Sequence, residues 1–144
     1  MIQDKLKLEI RDIVDFPKPG IVFKDITPLL KDAELCNEMI DAIIGQLQGI
    51  EIDAIAGIES RGFLFGFLLA NRLGLPFIPI RKQGKLPFKT ITESYALEYG
   101  QATIEIHEDA FELGSRILIH DDLLATGGTV VAASKLIEKL GGVV

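Results

Sequence analysis

The segment Arg116-Ile117-Leu118-Ile119-His120-Asp121-Asp122-Leu123-Leu124-Ala125-Thr126-Gly127-Gly128-Thr129 constrains this chain more than any other. A short β-branched run ends on two adjacent carboxylates, turns through Ala-Thr-Gly-Gly-Thr and continues with apolar residues at a 3.6-residue period as far as Leu140. That order reads as buried strand, turn and helix start. Such a turn attracts anions. Its glycines let the backbone pass close to a ligand, and the first turn of a helix has amides without intrahelical partners, so several N–H groups can converge on one phosphate. The hydroxyls of Thr126 and Thr129 add donors. Two acids beside a phosphate nest make sense when they face another part of the same ligand. Asp121 and Asp122 are suited to accept hydrogen bonds from sugar hydroxyls, or to hold the waters of a magnesium ion, so a sugar phosphate satisfies both halves. The plainer alternative, a strand end followed by a chain reversal, stays open at this point.

Length and charge bound the rest. A chain of 144 residues suffices for a sheet with a helical cover but not for two independent cores, so a single domain over 1–144 is expected. No apolar run approaches the ~20 residues of a spanning helix, and Met1-Ile2-Gln3-Asp4-Lys5 lacks a signal-peptide core. No membrane association is expected, and the cytoplasm is the default compartment. Cys36 stands alone, which excludes an intrachain disulfide framework and a cysteine metal site. A net charge of −6 argues against non-specific nucleic-acid binding. It leaves anionic small molecules open, because Arg81, Lys82, Lys85 and Lys89 concentrate positive charge in one stretch.

Residues 2–14 carry Leu6, Ile10, Ile13 and Val14 among charges, which predicts an amphipathic helix ended by Phe16-Pro17-Lys18-Pro19-Gly20. Ile21 to Leu30 is a Pro-bounded apolar segment that reads as a hood or a packing segment, so residues 1–30 are expected to form a helix and this segment, and residues 31–144 the core. Asp32 is placed to cap a helix carrying Leu35, Met39, Ile43 and Leu47. Residues 52–58 predict a buried strand, Glu59-Ser60-Arg61-Gly62 a polar turn, and residues 63–73 a helix closed by Gly74. That unit puts amides at a strand's C-terminal end, where open α/β sheets bind ligands. Residues 76–80 predict a third strand, followed by the Gly- and Pro-broken basic loop Arg81-Lys82-Gln83-Gly84-Lys85-Leu86-Pro87, suited to clamp diphosphate oxygens. Residues 94–100 and 102–107 alternate in character and suggest a hairpin. The fold class is α/β, a parallel-centred sheet with helices on both faces and three polar turns along one edge.

The motifs also resemble a known family. The strand, Asp-Asp, two residues and Ala-Thr-Gly-Gly-Thr are similar to the phosphoribosyl diphosphate (PRPP) signature of the type I phosphoribosyltransferases. Residues 16–30, 81–87 and 94–100 resemble the adenine-using branch of that family, so the likeness covers essentially the whole chain. It implies transfer of the 5-phosphoribosyl group from PRPP to adenine, giving AMP and pyrophosphate. Mg²⁺ is then held through PRPP and waters without direct protein ligands, in a cytoplasmic homodimer serving purine salvage. It further implies that Asp121 and Asp122 hold the ribose hydroxyls, and that Ala125, Thr126, Gly127, Gly128 and Thr129 grip the 5-phosphate. Ser60, Arg61, Arg81, Lys82 and Lys85 would neutralise pyrophosphate. The backbone at Val22, the Phe23 ring and Arg61 would meet the base, Glu98 would act as acid/base, and residues from about 82 to 106 would form a mobile flap. Two positions depart from the pattern: His120, where Val or Ile is general and to which no catalytic role is assigned, and Phe67, where Pro is usual. Val143-Val144 looks like the first half of a further core strand, so the C-terminus reads as truncated, at a cost to base affinity. Two other readings fit the same residues: a phosphoribosyltransferase for another purine, and a non-catalytic PRPP- or nucleotide-sensing protein.

Overall fold

The computed structural model describes residues 2–97, 99–121 and 127–144, apart from the Phe23 side chain. The chain divides into two compact units, Met1–Gln48 and Gly49–Val144.

In the first unit, helix α1 (Ile2–Glu9) gives way to strand β1 (Arg11–Val14), so the helix expected over residues 2–14 stops early. The physical reason is a better partner. β1 pairs antiparallel with β2 (Val22–Asp25) in the register Arg11↔Asp25, Asp12↔Lys24, Ile13↔Phe23 and Val14↔Val22. The register sets opposite charges face to face, with Lys24 Nζ 2.6 Å from Asp12 Oδ1 and Arg11 Nε 3.3 Å from Asp25 Oδ2. Cross-strand pairs of this kind contribute roughly 0.2–1 kcal/mol each, and α1 itself buries no residue that would favour extending it. The short helix α2 (Thr27–Leu30) follows, entered through Asp25 Oδ1, which accepts bonds from the amide and hydroxyl of Thr27. Helix α3 (Ala33–Gln46) starts as the sequence predicts, with the Asp32 carboxylate accepting from the Leu35 amide at 3.0 Å.

The second unit holds β3 (Ala54–Ile58), α4 (Arg61–Leu73), β4 (Phe77–Lys82), β5 (Thr90–Ala96), β6 (Gln101–His107), β7 (Ile117–His120) and α5 (Gly128–Lys139). Its sheet runs β5-β6-β4-β3-β7. β3 is parallel to β4 and β7, while β6 is antiparallel to β4 and β5, so a parallel centre carries an antiparallel hairpin on one side. Every residue of β3 is buried, as a central strand covered on both faces requires. Ala54, Ala56 and Ile58 share one cluster with Ile78, Ile80, Ile104, Ile106 and the α5 residues Ala132, Ala133, Leu136 and Ile137. Gly57 belongs to the opposite face, against Phe77 and the start of α4. The helices therefore lie on both faces, as expected.

Two boundaries shift with consequences for the site. β4 runs on through Arg81 and Lys82, because Arg81 pairs with Glu105 and Lys82 with Ile104 on β6; the basic loop expected over residues 81–87 thus begins as strand. α4 starts at Arg61, two residues before the expected first turn, and ends as predicted at Gly74 in the left-handed conformation (φ 67°). Val143 forms a parallel bridge with Arg116 at the β7 edge. Among the described residues no helix is long and apolar enough to cross a membrane.

Candidate active site

Because β3, β4 and β7 are parallel, their C-terminal ends share one edge of the sheet. The Glu59-Ser60 turn into α4, the turn after β4 and the His120-Asp121 pair all leave from it. The first and third of these touch. A Cβ on Gly62 would lie 3.0 Å from the His120 carbonyl oxygen and 3.3 Å from Asp121 Oδ1, so the start of α4 lies close against the end of β7 and a side chain there would push the two apart by a few tenths of an ångström. Arg61 is the first residue of α4 and half-buried; Ser60 precedes it, exposed, with its hydroxyl not used as a helix cap. At the start of α5, Gly127 takes φ 82° in open space, a conformation that costs a side-chain-bearing residue energy, and the Val131 amide bonds to its carbonyl at 3.0 Å. Gly128 and Thr129 form the first turn, where a helix presents amides and the positive end of its dipole. Asp122, Ala125, Thr126 and Glu98 lie outside the described residues.

The cations sit at the end of β4. Arg81 Nε is 3.3 Å from Glu59 Oε1, and its guanidinium carbon lies 5.9 Å from the centre of the Phe63 ring. The Lys85 amide donates to the Lys82 carbonyl at 3.2 Å across a tight turn in which Gly84 supplies the positive φ of 88°. Lys82 and Lys85 are exposed, and neither ammonium makes an ion pair among the described residues. Val22 sits in β2 of the first unit opposite Val14, with its side chain half exposed. Of the two departures from the family wording, Phe67 meets the Phe77 ring edge-on at 5.8 Å, and His120 is half-buried at the end of β7.

Two carboxylates emerge that sequence reasoning missed. Glu59 accepts the Lys82 amide at 2.7 Å and pairs with Arg81. Burial pushes its carboxyl up, but the Lys82 and Arg81 hydrogen bonds and their charges outweigh it, leaving Glu59 below the usual carboxylate range. Glu105 is only 3% exposed and accepts the amides of Lys85 at 2.9 Å and Leu86 at 3.1 Å. Here too burial raises the carboxyl, and bonds from Leu86, Thr90, Lys85 and Gly84 bring it below its ordinary value. A glutamate alternating with buried Ile104 and Ile106 is the one signal that pointed to it.

The Glu59 shift has a sign. A carboxyl lowered on folding contributes stability that is complete above its ordinary value of 4.5 and is lost as pH falls through the folded value. The wild type should therefore lead Glu59→Gln in urea-unfolding stability at neutral pH, with the gap closing as the solution is acidified below 4.5. A gap that widens on acidification would contradict this.

Residues 24–143 match the phosphoribosyl transferase domain family, which sets the class as a pentosyltransferase. The adenine phosphoribosyltransferase of Cytophaga hutchinsonii is 58% identical over 142 residues, spanning 99% of this chain and 78% of the relative. That of Thermoanaerobacter sp. is 56% identical over 144 residues, spanning 100% and 83%. The crystal structure of adenine phosphoribosyltransferase from Thermoanaerobacter pseudethanolicus superimposes with a TM-score of 0.96 at 54% identity, covering 100% of this chain and 83% of that one. The Saccharomyces cerevisiae enzyme, complexed with an imino-altritol bisphosphate and adenine, gives 0.95 at 41% identity, covering 99% and 84%. The chain belongs to the adenine phosphoribosyltransferase family.

Proposed function

We propose that this chain transfers the 5-phosphoribosyl group of PRPP to adenine, releasing AMP and pyrophosphate. The observation that carries the reading is the shared sheet edge at which the Glu59-Ser60 turn, the cationic end of β4 and the β7–α5 connection begin, in a chain of this family. As the bond to pyrophosphate breaks, positive charge develops on the ribose ring. Asp121 and Asp122 hold the 2- and 3-hydroxyls and lie near that charge, while residues 125–129 anchor the 5-phosphate and fix the sugar without touching the reacting carbon. Ser60, Arg61, Arg81, Lys82 and Lys85 receive the departing pyrophosphate. The donors at this edge are hard oxygens, the Asp121 carboxylate and the Ser60 hydroxyl among the described residues, which suits Mg²⁺ bound through PRPP and waters. When bound, that ion supplies charge that stabilises the leaving group.

The hood residues Val22 and Phe23 are assigned to the base, where main-chain groups read a purine edge and a ring covers its face; Arg61 is assigned to the base as well as to pyrophosphate. Glu98 manages the adenine proton, and the flap assigned to residues from about 82 to 106 keeps water from the sugar cation. A cytoplasmic homodimer working in purine salvage completes the proposal.

With PRPP, adenine and Mg²⁺, AMP and pyrophosphate should form one to one. PRPP binding without pyrophosphate release would instead favour a sensor. Glu98→Gln should lower kcat by about 10²–10⁴ with little change in the KM for PRPP, measured by steady-state kinetics. Near-normal turnover would remove Glu98 from the acid/base role.

A further inference from the structure

The β5–β6 hairpin contains one acid whose environment is unusual. Strand alternation puts Ile104 and Ile106 into the core beneath α5 and Glu105 on the other face of β6. That face is not open to solvent. The turn after β4 folds over it, and Glu105 is 3% exposed, the buried charged side chain among the described residues. Its Oε1 accepts two successive amides, Lys85 at 2.9 Å and Leu86 at 3.1 Å.

A buried carboxylate beside a run of cations would ordinarily be read as their counter-ion. Its bonds contradict that. They go to the backbone of the turn, and the Lys82 and Lys85 ammoniums stay exposed and without an ion pair among the described residues. The turn is braced from its other end in the same manner, where Glu59 accepts the Lys82 amide at 2.7 Å. Both acids fix where the lysines start while leaving their charge available. We propose that Glu105 is a positioning residue for the pyrophosphate group: it shapes the 82–86 turn so that Lys82 and Lys85 are presented to the diphosphate of PRPP. The inference rests on the reading of these lysines given under the proposed function.

The reach of the acceptor sets the shape of the turn, and its charge strengthens the bonds. Glu105→Asp keeps the charge and withdraws the oxygens by one methylene; Glu105→Gln keeps the reach and one carbonyl oxygen for the Lys85 and Leu86 amides. Both variants are conservative enough to compare with the wild type by thermal melting before kinetics. The reverse reaction, AMP plus pyrophosphate, separates the two halves of the site. Glu105→Asp should raise the KM for pyrophosphate, and for PRPP in the forward direction, by about tenfold while the KM for AMP stays within about twofold; Glu105→Gln should stay within about threefold throughout.

Three results would overturn the proposal. They are an Asp variant matching the wild type, a parallel rise in the KM for AMP, and a Gln variant worse than the Asp variant, which would make charge the operative property. A wild-type chain that turns over neither direction sinks the functional reading and the proposal with it. An active wild type with an unaffected Asp variant sinks the proposal alone.

Discussion

Replacing Gly57 by alanine should destabilise the protein by about 3 kcal/mol, at the upper end of what overpacking a close-packed core costs. The new methyl would lie 2.6 and 2.7 Å from Phe77 ring carbons and 2.8 Å from the Gly62 carbonyl oxygen. The Gly62 carbonyl is backbone and cannot yield cheaply. Phe77 meets Phe63 and Phe67 edge-on, each at 5.8 Å, so displacing its ring would disturb both contacts. Gly62 is backbone at the start of α4 and already lies against the His120 carbonyl. The strain therefore reaches the site. Relief by moving α4 outward would shift Ser60 and Arg61 away from the end of β7, so the KM for PRPP should rise along with the loss of stability. Urea unfolding and steady-state kinetics on the same preparation check both effects. Unchanged stability would mean that α4 does not pack as closely on β3 as described.

The second large effect is expected at the paired acids. Asp122→Ala should abolish measurable PRPP binding, because in the proposed site it removes a charge-assisted acceptor from the ribose hydroxyls. Each such bond is worth roughly 1.5–3 kcal/mol, and preorganised charge beside the developing sugar cation adds to the loss in turnover. Asp121→Ala should also weaken PRPP binding, and its position against Gly62 means that part of the loss reflects the contact between β7 and α4. Calorimetric titration with PRPP, with the melting temperature as a control for folding, separates these contributions. Unchanged PRPP affinity in Asp122→Ala would refute the ribose role.

The strand-turn-helix order around Asp121 and Gly127 was readable because it is local: β-branched residues, a glycine turn and a helical period follow one another directly. The same holds for the Asp32 cap and the Gly74 stop, each set by a single residue's backbone chemistry. What the sequence concealed depends on distant partners. Ile13 and Val14 fit a helical period, yet pairing with Val22 and Phe23 makes them strand. Arg81 and Lys82 read as loop because charge and glycine cluster there, and β6, about twenty residues further on, extends the strand through them. Glu59 and Glu105 were overlooked for the same reason, since their partners are amides 23 and 20 residues away and an amide leaves no mark on a side-chain pattern. Of the residues assigned to the site, Ser60, Arg61, Arg81, Lys82, Asp121, Gly127, Gly128 and Thr129 lie at or next to the ends of elements in the second unit, and Lys85 in the turn that follows β4. Parallel pairing is what turns three separate local readings into one edge.

The most direct test supplies adenine, guanine, hypoxanthine and xanthine in turn, with PRPP and Mg²⁺, and resolves the nucleotide products by chromatography. The account predicts AMP from adenine with a kcat/KM at least about a hundredfold above that for any other base, since a site built to hydrogen-bond one purine edge leaves its polar groups unpaired with another. Preferential formation of GMP, IMP or XMP, or PRPP binding with no nucleotide from any base, would contradict it.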